Sequence, residues 1–161
     1  MIKEKVYISN ELLSRHTTFR IGGPAILWAE PDGIDELKAI IMDAGVRGMH
    51  YRVIGNGSNV LIDDKGVDGL VIKLSNLKKI SVKADSIYAD SGASLNELIR
   101  TAVLSNLSGL EFLAGIPGTI GGAVKTNAGA FGKEISSILK DITVLAKDGN
   151  IYNIPVNKIH F

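Results

Sequence analysis

Apolar residues in the first half of the chain fall into short runs separated by one helical repeat. Three runs bounded by polar or turn residues are typical of buried strands: Ala25–Ala29, Tyr51–Ile54 and Gly69–Leu74. Between the first two runs, apolar residues recur at helical spacing. This repeat predicts a helix that begins at Asp32 or Gly33 and ends at Gly45. Residues 1–76 are therefore predicted to form a small α/β lobe with parallel strands.

The pattern changes near residues 75–80, and residues 77–161 are predicted to form an antiparallel α+β lobe. Ile87–Ala89 predicts a short strand, and Ser94 and Glu97 have the spacing of a capping box at the start of a helix. The apolar face of that helix is predicted to contain Leu95, Leu98, Ile99, Ala102 and Val103. Asp148-Gly149 stands between two apolar runs, which predicts a hairpin of Ile142–Ala146 and Ile151–Ile154. Residues 9–23 are predicted to form a loop.

The stretch Gly109–Gly132 combines many glycines with interleaved apolar residues. It carries one base, Lys125, and one acid, Glu111, whereas a flexible linker would be richer in polar and charged residues. We therefore expect this stretch to be packed inside the protein. Glycine in a packed region is useful where the backbone takes a positive φ or approaches another group closely, so the stretch is predicted to form the floor of a ligand site.

A second glycine-rich loop, Gly55–Asn59, directly follows the predicted strand Tyr51–Ile54. Convergent backbone N–H groups in such a loop bind phosphate without lysine or arginine, and two such loops suit a pyrophosphate. The dinucleotide fingerprint is absent because Val60 stands where the third glycine belongs, and no Walker sequence is present. A tight turn without a ligand is the alternative explanation for residues 55–58. Since each half contributes one loop, a ligand is expected between them.

Composition narrows the class of protein. The 161 residues carry a net charge of +1, and the basic residues are scattered, so neither nucleic acid nor a membrane surface is expected as a partner. The absence of cysteine excludes disulfides and thiolate metal sites. Met1–Tyr7 lacks the apolar core of a signal peptide, and no run is long enough to span a membrane. A cytoplasmic protein is therefore expected.

No complete catalytic set is visible in the sequence. There is no cysteine nucleophile, no recognisable Ser-His-acid arrangement and no histidine-rich metal motif. His16 and His50 are expected to be surface or hydrogen-bonded residues, and no metal site is predicted. Asp63 and Asp64 are neighbours on an extended segment, so they should point to opposite faces. Trp28 is predicted to lie in the core. Any catalysis would then rest on a cofactor or on groups elsewhere.

Three motifs follow one another along the chain: Phe19–Gly23, Gly55–Leu61 with Asp63, and Ala114–Val124 with Asn127–Gly132. In order and spacing they resemble the UDP-N-acetylenolpyruvoylglucosamine reductase family, the MurB flavoenzymes of peptidoglycan synthesis. The similarity extends over nearly the whole chain. It implies an FAD-binding fold of the PCMH or vanillyl-alcohol-oxidase type, with FAD between a parallel α/β lobe and an antiparallel α+β lobe.

The resemblance also implies which residues contact FAD. The loop that would hold the pyrophosphate comprises Gly55, Asn56, Gly57, Ser58 and Asn59, and the adjacent Val60 would also bind the cofactor. The flavin and the rest of the dinucleotide would be lined by Gly115, Ile116, Pro117, Gly118, Thr119, Gly122 and Ala123. Asn127 and Ala128 would lie close to that site.

The family reaction carries hydride from NADPH, by way of the flavin, to the enolpyruvyl double bond of UDP-N-acetylglucosamine enolpyruvate, which becomes UDP-N-acetylmuramate. Family members are longer, and their catalytic serine and glutamate lie in C-terminal segments absent from this chain. A Tyr-Arg-x-Ser element that carries the family arginine is expected just after Phe161. We therefore expect no catalytic residue within the chain, and FAD binding without turnover by the chain alone.

Two other functions stay open. A different flavoenzyme of the same fold, such as an oxidase of a small alcohol, usually attaches its flavin through histidine or cysteine. This chain has no cysteine and no histidine next to its glycine motifs. A binding module without enzymatic activity, which sequesters a nucleotide or a partner, would lack flavin absorbance. The sequence does not indicate an oligomeric state.

Overall fold

The structure is a computed structural model that describes residues 6–161. Met1–Lys5, which supplied part of the argument against a signal peptide, lie outside the described residues. None of the helices found between Val6 and Phe161 has the length and apolarity needed to cross a membrane.

A four-stranded sheet and one helix form the first half of the described chain. The strands are β1 (Ile8–Leu12), β2 (Pro24–Ala29), β3 (Tyr51–Ile54) and β4 (Val67–Lys73), and the helix is α1 (Ile34–Val46). Their order in the sheet is β1-β2-β4-β3. β2, β4 and β3 run parallel, as predicted, whereas β1 pairs antiparallel with β2. The three predicted strands are confirmed, with β4 beginning two residues before the predicted start.

Strand β1 contradicts the prediction of a loop over residues 9–23 and makes the sheet mixed. Its side chains are mostly exposed, so no alternation of apolar and polar residues marks it in the sequence. The strand forms because its backbone pairs with the edge of β2, with Ile8 opposite Trp28 and Leu12 opposite Pro24. Edge strands of this kind are set by a neighbour and not by their own pattern.

The predicted start of α1 is confirmed, since Gly33 is its N-cap, but the predicted end is wrong. Gly45 lies inside the helix, which ends at Val46. Gly48 takes the left-handed conformation, with φ +63°. The N–H of Gly48 donates to the carbonyl of Gly45 (3.2 Å), and Met49 N–H donates to the carbonyl of Ala44 (2.8 Å). This pair of bonds is the Schellman motif, so the second glycine ends the helix and not the first.

The second half contains three antiparallel strand pairs and two α-helices, besides three 3-10 helices at Glu111–Leu113, Ile135–Ser137 and Val156–Lys158. The pairs are β5 (Ile80–Lys83) with β6 (Ser86–Ala89), β7 (Gly129–Ala130) with β8 (Lys133–Glu134), and β9 (Asp141–Leu145) with β10 (Ile151–Pro155). The helices are α2 (Leu95–Leu104) and the short α3 (Ile120–Lys125). The predicted hairpin around Asp148 and the capping box of Ser94 and Glu97 are confirmed. β5, α3 and the β7–β8 pair were not predicted.

Three clusters of buried side chains make up the core. One lies between α1 and the sheet, a second beneath α2 and α3, and a third around Trp28, which is 1% exposed as predicted. In α2 the predicted apolar face is right for Leu95, Leu98 and Ala102, whereas Val103 is 67% exposed. Leu145 of β9 packs against the cluster of α1. The division into lobes 1–76 and 77–161 stays a prediction.

Candidate cofactor-binding site

The two glycine-rich loops lie against each other. The hydroxyl of Ser58 donates to the carbonyl oxygen of Pro117 (3.2 Å), across 59 positions of sequence. A Cβ atom on Gly55 would lie 2.4 Å from Oγ1 of Thr119, and one on Gly118 would lie 3.2 Å from Oγ of Ser58. The structure therefore brings together residues of both motifs that the sequence analysis singled out separately.

The first loop, residues 55–59, extends the carboxyl end of β3. Ile54 at this end is opposite Lys73 of the parallel strand β4. Within the described chain, no backbone N–H of residues 55–59 donates a hydrogen bond to another residue. Asn56, Asn59 and the neighbouring Val60 are exposed. A run of N–H groups without internal partners at the carboxyl edge of parallel strands is suited to an anionic ligand.

Gly57 connects this loop to the segment that follows β1. Its carbonyl accepts a hydrogen bond from Thr18 N–H (3.0 Å), and a Cβ atom on Gly57 would lie only 2.1 Å from the carbonyl oxygen of His16. Its φ is +66°, in the left-handed region. Both the backbone conformation and the close approach require glycine here.

The second loop leads into α3 and differs chemically from the first. Thr119 is the N-cap of α3, and its hydroxyl accepts a hydrogen bond from Gly122 N–H (3.3 Å). Ile120 N–H donates to the carbonyl of Ala93, and Gly121 N–H donates to the carbonyl of Ser91, both at 2.8 Å. Because these first-turn N–H groups already have partners, the start of α3 is not suited to cradle a phosphate.

The prediction that Gly109–Gly132 is packed inside is right for one face only. Phe112, Leu113, Ile120 and Ala123 are buried in the core beneath α2, and Ile116 packs against the same cluster. Gly115, Pro117 and Gly122 are exposed, and the ring of Phe131 is 91% exposed at the tip of the β7–β8 hairpin. The apolar residues anchor the stretch, while its glycines remain on the surface.

Asn127 lies at the far end of α3 and organises the hairpin that follows. Its backbone has φ +47°, its Nδ2 donates to Oε2 of Glu134 (2.6 Å), and its Oδ1 accepts from Ser136 N–H (3.2 Å). It lines a cavity of about 510 Å³ with Gly129, Ala130, Gly132, Lys133, Glu134, Ser136 and Ser137. Sequence reasoning missed Glu134 and Ser136, because only the fold shows that they hold Asn127.

His16 is hydrogen-bonded, as predicted, but it lies nearer to the glycine motifs than the sequence suggests. Its Nε2 is 2.9 Å from Oε1 of Glu11, and its ring stacks on that of Trp28 with centroids 4.0 Å apart. The backbone carbonyl of His16 touches Gly57. Among residues 6–161, no group of three or more potential ligands could hold a metal ion.

The chain belongs to the FAD binding domain family, whose match covers residues 25–154. The resemblance found in the sequence is confirmed by curated relatives that carry the name UDP-N-acetylenolpyruvoylglucosamine reductase. The relative from Caldanaerobacter subterraneus subsp. tengcongensis is 39% identical over all of this chain and 53% of its own length. The relative from Clostridium botulinum is 44% identical over 89% of this chain and 47% of its own length. This chain thus spans about half the length of these curated relatives.

Solved structures confirm the FAD-binding fold of the PCMH type. The crystal structure of the Thermus caldophilus reductase matches 97% of this chain and 55% of its own, with a TM-score of 0.83 and 34% identity. The glucose dehydrogenase Phl p 4 matches 94% of this chain and 36% of its own, with a TM-score of 0.69. At 13% identity, this second likeness shows the fold alone.

Proposed function

We propose that this chain binds FAD across its two glycine-rich loops, with the diphosphate on the N–H groups of residues 55–59. The observation that carries the proposal is the run of backbone donors without partners in the described chain, held beside the second loop by Ser58 and Pro117. Such donors bind an anion without a charged side chain, and a dinucleotide is long enough to reach from one loop to the other.

The residues present suit such a group. Gly115 and Gly118 both have positive φ, at +85° and +140°, and no atom outside its chain neighbours lies within 4 Å of the position that a Cβ on Gly115 would take. That open space lets the backbone approach a flat ligand closely. Thr119, Gly122 and Ala123 of α3 would line the rest of the dinucleotide. Asn127, fixed by Glu134 and Ser136, would border the flavin end.

A full-length protein of this family, of which this chain would form the FAD-binding part, would be an NADPH-dependent reductase of UDP-N-acetylglucosamine enolpyruvate that acts in the cytoplasm. When bound, the flavin supplies the hydride transfer between NADPH and the enolpyruvyl double bond. The residues of this chain would bind and orient the cofactor. The expectation that this chain alone completes no turnover stays a prediction, supported by its covering about half of each relative.

Titration of the purified chain with FAD tests the binding proposal. We expect saturable quenching of flavin fluorescence, competition by ADP, and weaker binding of riboflavin, which lacks the diphosphate. Absence of binding at all FAD concentrations up to the millimolar range would contradict the proposal. Riboflavin binding as tight as that of FAD would contradict the role of residues 55–59.

Activity assays test the expectation that this chain alone does not complete the reduction. NADPH oxidation is measured with and without the enolpyruvyl sugar, on this chain and on a full-length relative. We expect sugar-dependent oxidation by the relative and none by the chain. Robust turnover by the chain would overturn that expectation, while leaving the FAD site itself intact.

A further inference from the structure

Three side chains hold His16 in one orientation. Its Nε2 lies 2.9 Å from Oε1 of Glu11, its Nδ1 lies 3.4 Å from Nζ of Lys73, and its ring stacks on Trp28. The side chain is only 15% exposed. Since the ammonium of Lys73 can only donate, Nδ1 is the acceptor, and the ring proton is on Nε2, which donates to Glu11. The two bonds therefore select one tautomer and fix the ring.

The backbone of the same residue supports the first glycine loop. A Cβ atom on Gly57 would lie 2.1 Å from the carbonyl oxygen of His16 and 2.8 Å from the Cα of Thr17. Thr18 N–H then donates to the carbonyl of Gly57 (3.0 Å). Residues 16–18 consequently form a strap against the middle of the loop.

Lys73 contacts the side chain of His16 and also lies next to the start of the loop. It is the last residue of β4 and is opposite Ile54, the residue before the loop. Its ammonium reaches back to the imidazole of His16 and lies 6.0 Å from the centre of the Trp28 ring. The strap is thereby tied to β4, the parallel neighbour of the strand that precedes the loop, as well as to the loop itself.

We propose that His16 is a positioning residue of the FAD site, which holds the strap 16–18 against Gly57 and so keeps the N–H groups of residues 55–59 directed at the diphosphate. This inference rests on the proposed function. His16 is not among the residues proposed to contact the cofactor. Glu11 and Lys73, which hold its ring, share the positioning role.

The test compares two substitutions of His16 in the 161-residue chain. His16→Leu removes both ring nitrogens but keeps an apolar contact with Trp28, whereas His16→Gln keeps one donor and one acceptor. We expect His16→Leu to weaken ADP and FAD binding by about tenfold, the factor that about 1.4 kcal/mol produces. His16→Gln should retain affinity to within about threefold. His50→Leu, at the exposed histidine before β3, is the matched control and should leave binding unchanged.

Each outcome decides between defined alternatives. Unchanged affinity in His16→Leu, or an equal loss in His16→Leu and His16→Gln, overturns the inference while FAD binding by the unsubstituted chain stands. If the unsubstituted chain binds neither FAD nor ADP, the proposed function fails and the inference fails with it. Should circular dichroism show that His16→Leu is unfolded, Glu11→Gln replaces it. A loss of affinity of a few fold is then expected, and an unchanged affinity again overturns the inference.

Discussion

Gly55 and Thr119 approach so closely that a methyl group on Gly55 would lie 2.4 Å from the hydroxyl oxygen of Thr119. Gly55 is the first residue of the loop in the first motif, and Thr119 caps α3 in the second motif. The two motifs therefore contact each other at Gly55, where a hydrogen atom takes the place of a side chain. This contact makes the spacing of the loops sensitive to a single methyl group.

Gly55→Ala is accordingly expected to push Thr119 away from its position. The overpacking costs about 1–3 kcal/mol of the free energy of unfolding, and displacement of the Thr119 hydroxyl also weakens the cap of α3. We expect FAD affinity to fall by roughly tenfold or more, because Thr119 belongs to the proposed FAD site. Chemical denaturation and FAD titration measure the two effects.

The control is Gly45→Ala, within α1, where nothing lies within 4 Å of the added carbon. Alanine there should stabilise the protein by about 0.4–1 kcal/mol, since it favours the helix and restricts the unfolded chain. A stability change of the same sign in both variants would show that Gly55 and Thr119 are not in contact as described.

A comparison of Gly57→Ala with Gly48→Ala distinguishes the effect of a steric clash from the effect of backbone strain. Alanine is disfavoured at positive φ by about 1–2 kcal/mol, and here its Cβ would also meet the carbonyl oxygen of His16 at 2.1 Å. Gly48 has nearly the same φ, +63°, but open space around it. We expect Gly57→Ala to destabilise the protein more than Gly48→Ala does and to abolish measurable FAD binding.

Gly48→Ala should lose stability without losing cofactor affinity, because Gly48 lies at the end of α1 and outside the proposed site. Isothermal titration with FAD at matched fractions of folded protein distinguishes the two variants. Equal FAD affinity in both would argue against a role for the strap of residues 16–18.

Ser94→Ala removes the N-cap of α2. The Ser94 hydroxyl accepts from Glu97 N–H (3.1 Å), and the carboxylate of Glu97 accepts from the Ser94 N–H (3.4 Å). Loss of such a cap costs about 1 kcal/mol, within a range of roughly 0.5–2 kcal/mol. Urea denaturation should show this change, whereas Asn96→Ala, at an exposed position in the same turn, should change stability by less than about 0.5 kcal/mol.

The carboxylate of Glu111 makes the stability of the protein depend on pH. Both of its carboxylate oxygens accept a hydrogen bond from Gly109 N–H, at 3.0 and 2.9 Å, which lowers the pKa of this carboxyl below its ordinary value of 4.5. Because the folded pKa is lower than the unfolded one, the stabilisation is complete above pH 4.5 and is lost as the pH falls through the folded pKa.

We therefore expect the wild-type protein to be more stable than Glu111→Gln above pH 4.5, and the difference to shrink as the pH is lowered further. Thermal unfolding of both proteins between pH 3 and pH 7 measures it. A stability difference that does not change with pH would contradict the assigned hydrogen bond.

Local features of the sequence determined much of this fold. The buried strands, the capping box of α2 and the Asp148 turn follow from hydrophobic runs, from one hydroxyl with one carboxylate, and from turn chemistry, all of which act within a few residues. The glycine motifs likewise identified the family and the type of ligand, because their order along the chain is itself a sequence property. Those motifs could be read without knowing where either loop lies in space.

Tertiary structure alone decided the remaining features. β1 exists because an edge of β2 was available to pair with it, and Gly48 rather than Gly45 ends α1 because only the packed helix determines which glycine turns left-handed. The contact between Gly55 and Thr119, and the strap that His16 forms against Gly57, join residues distant in the chain. No local pattern encodes such contacts, since they depend on how separately formed elements pack against one another.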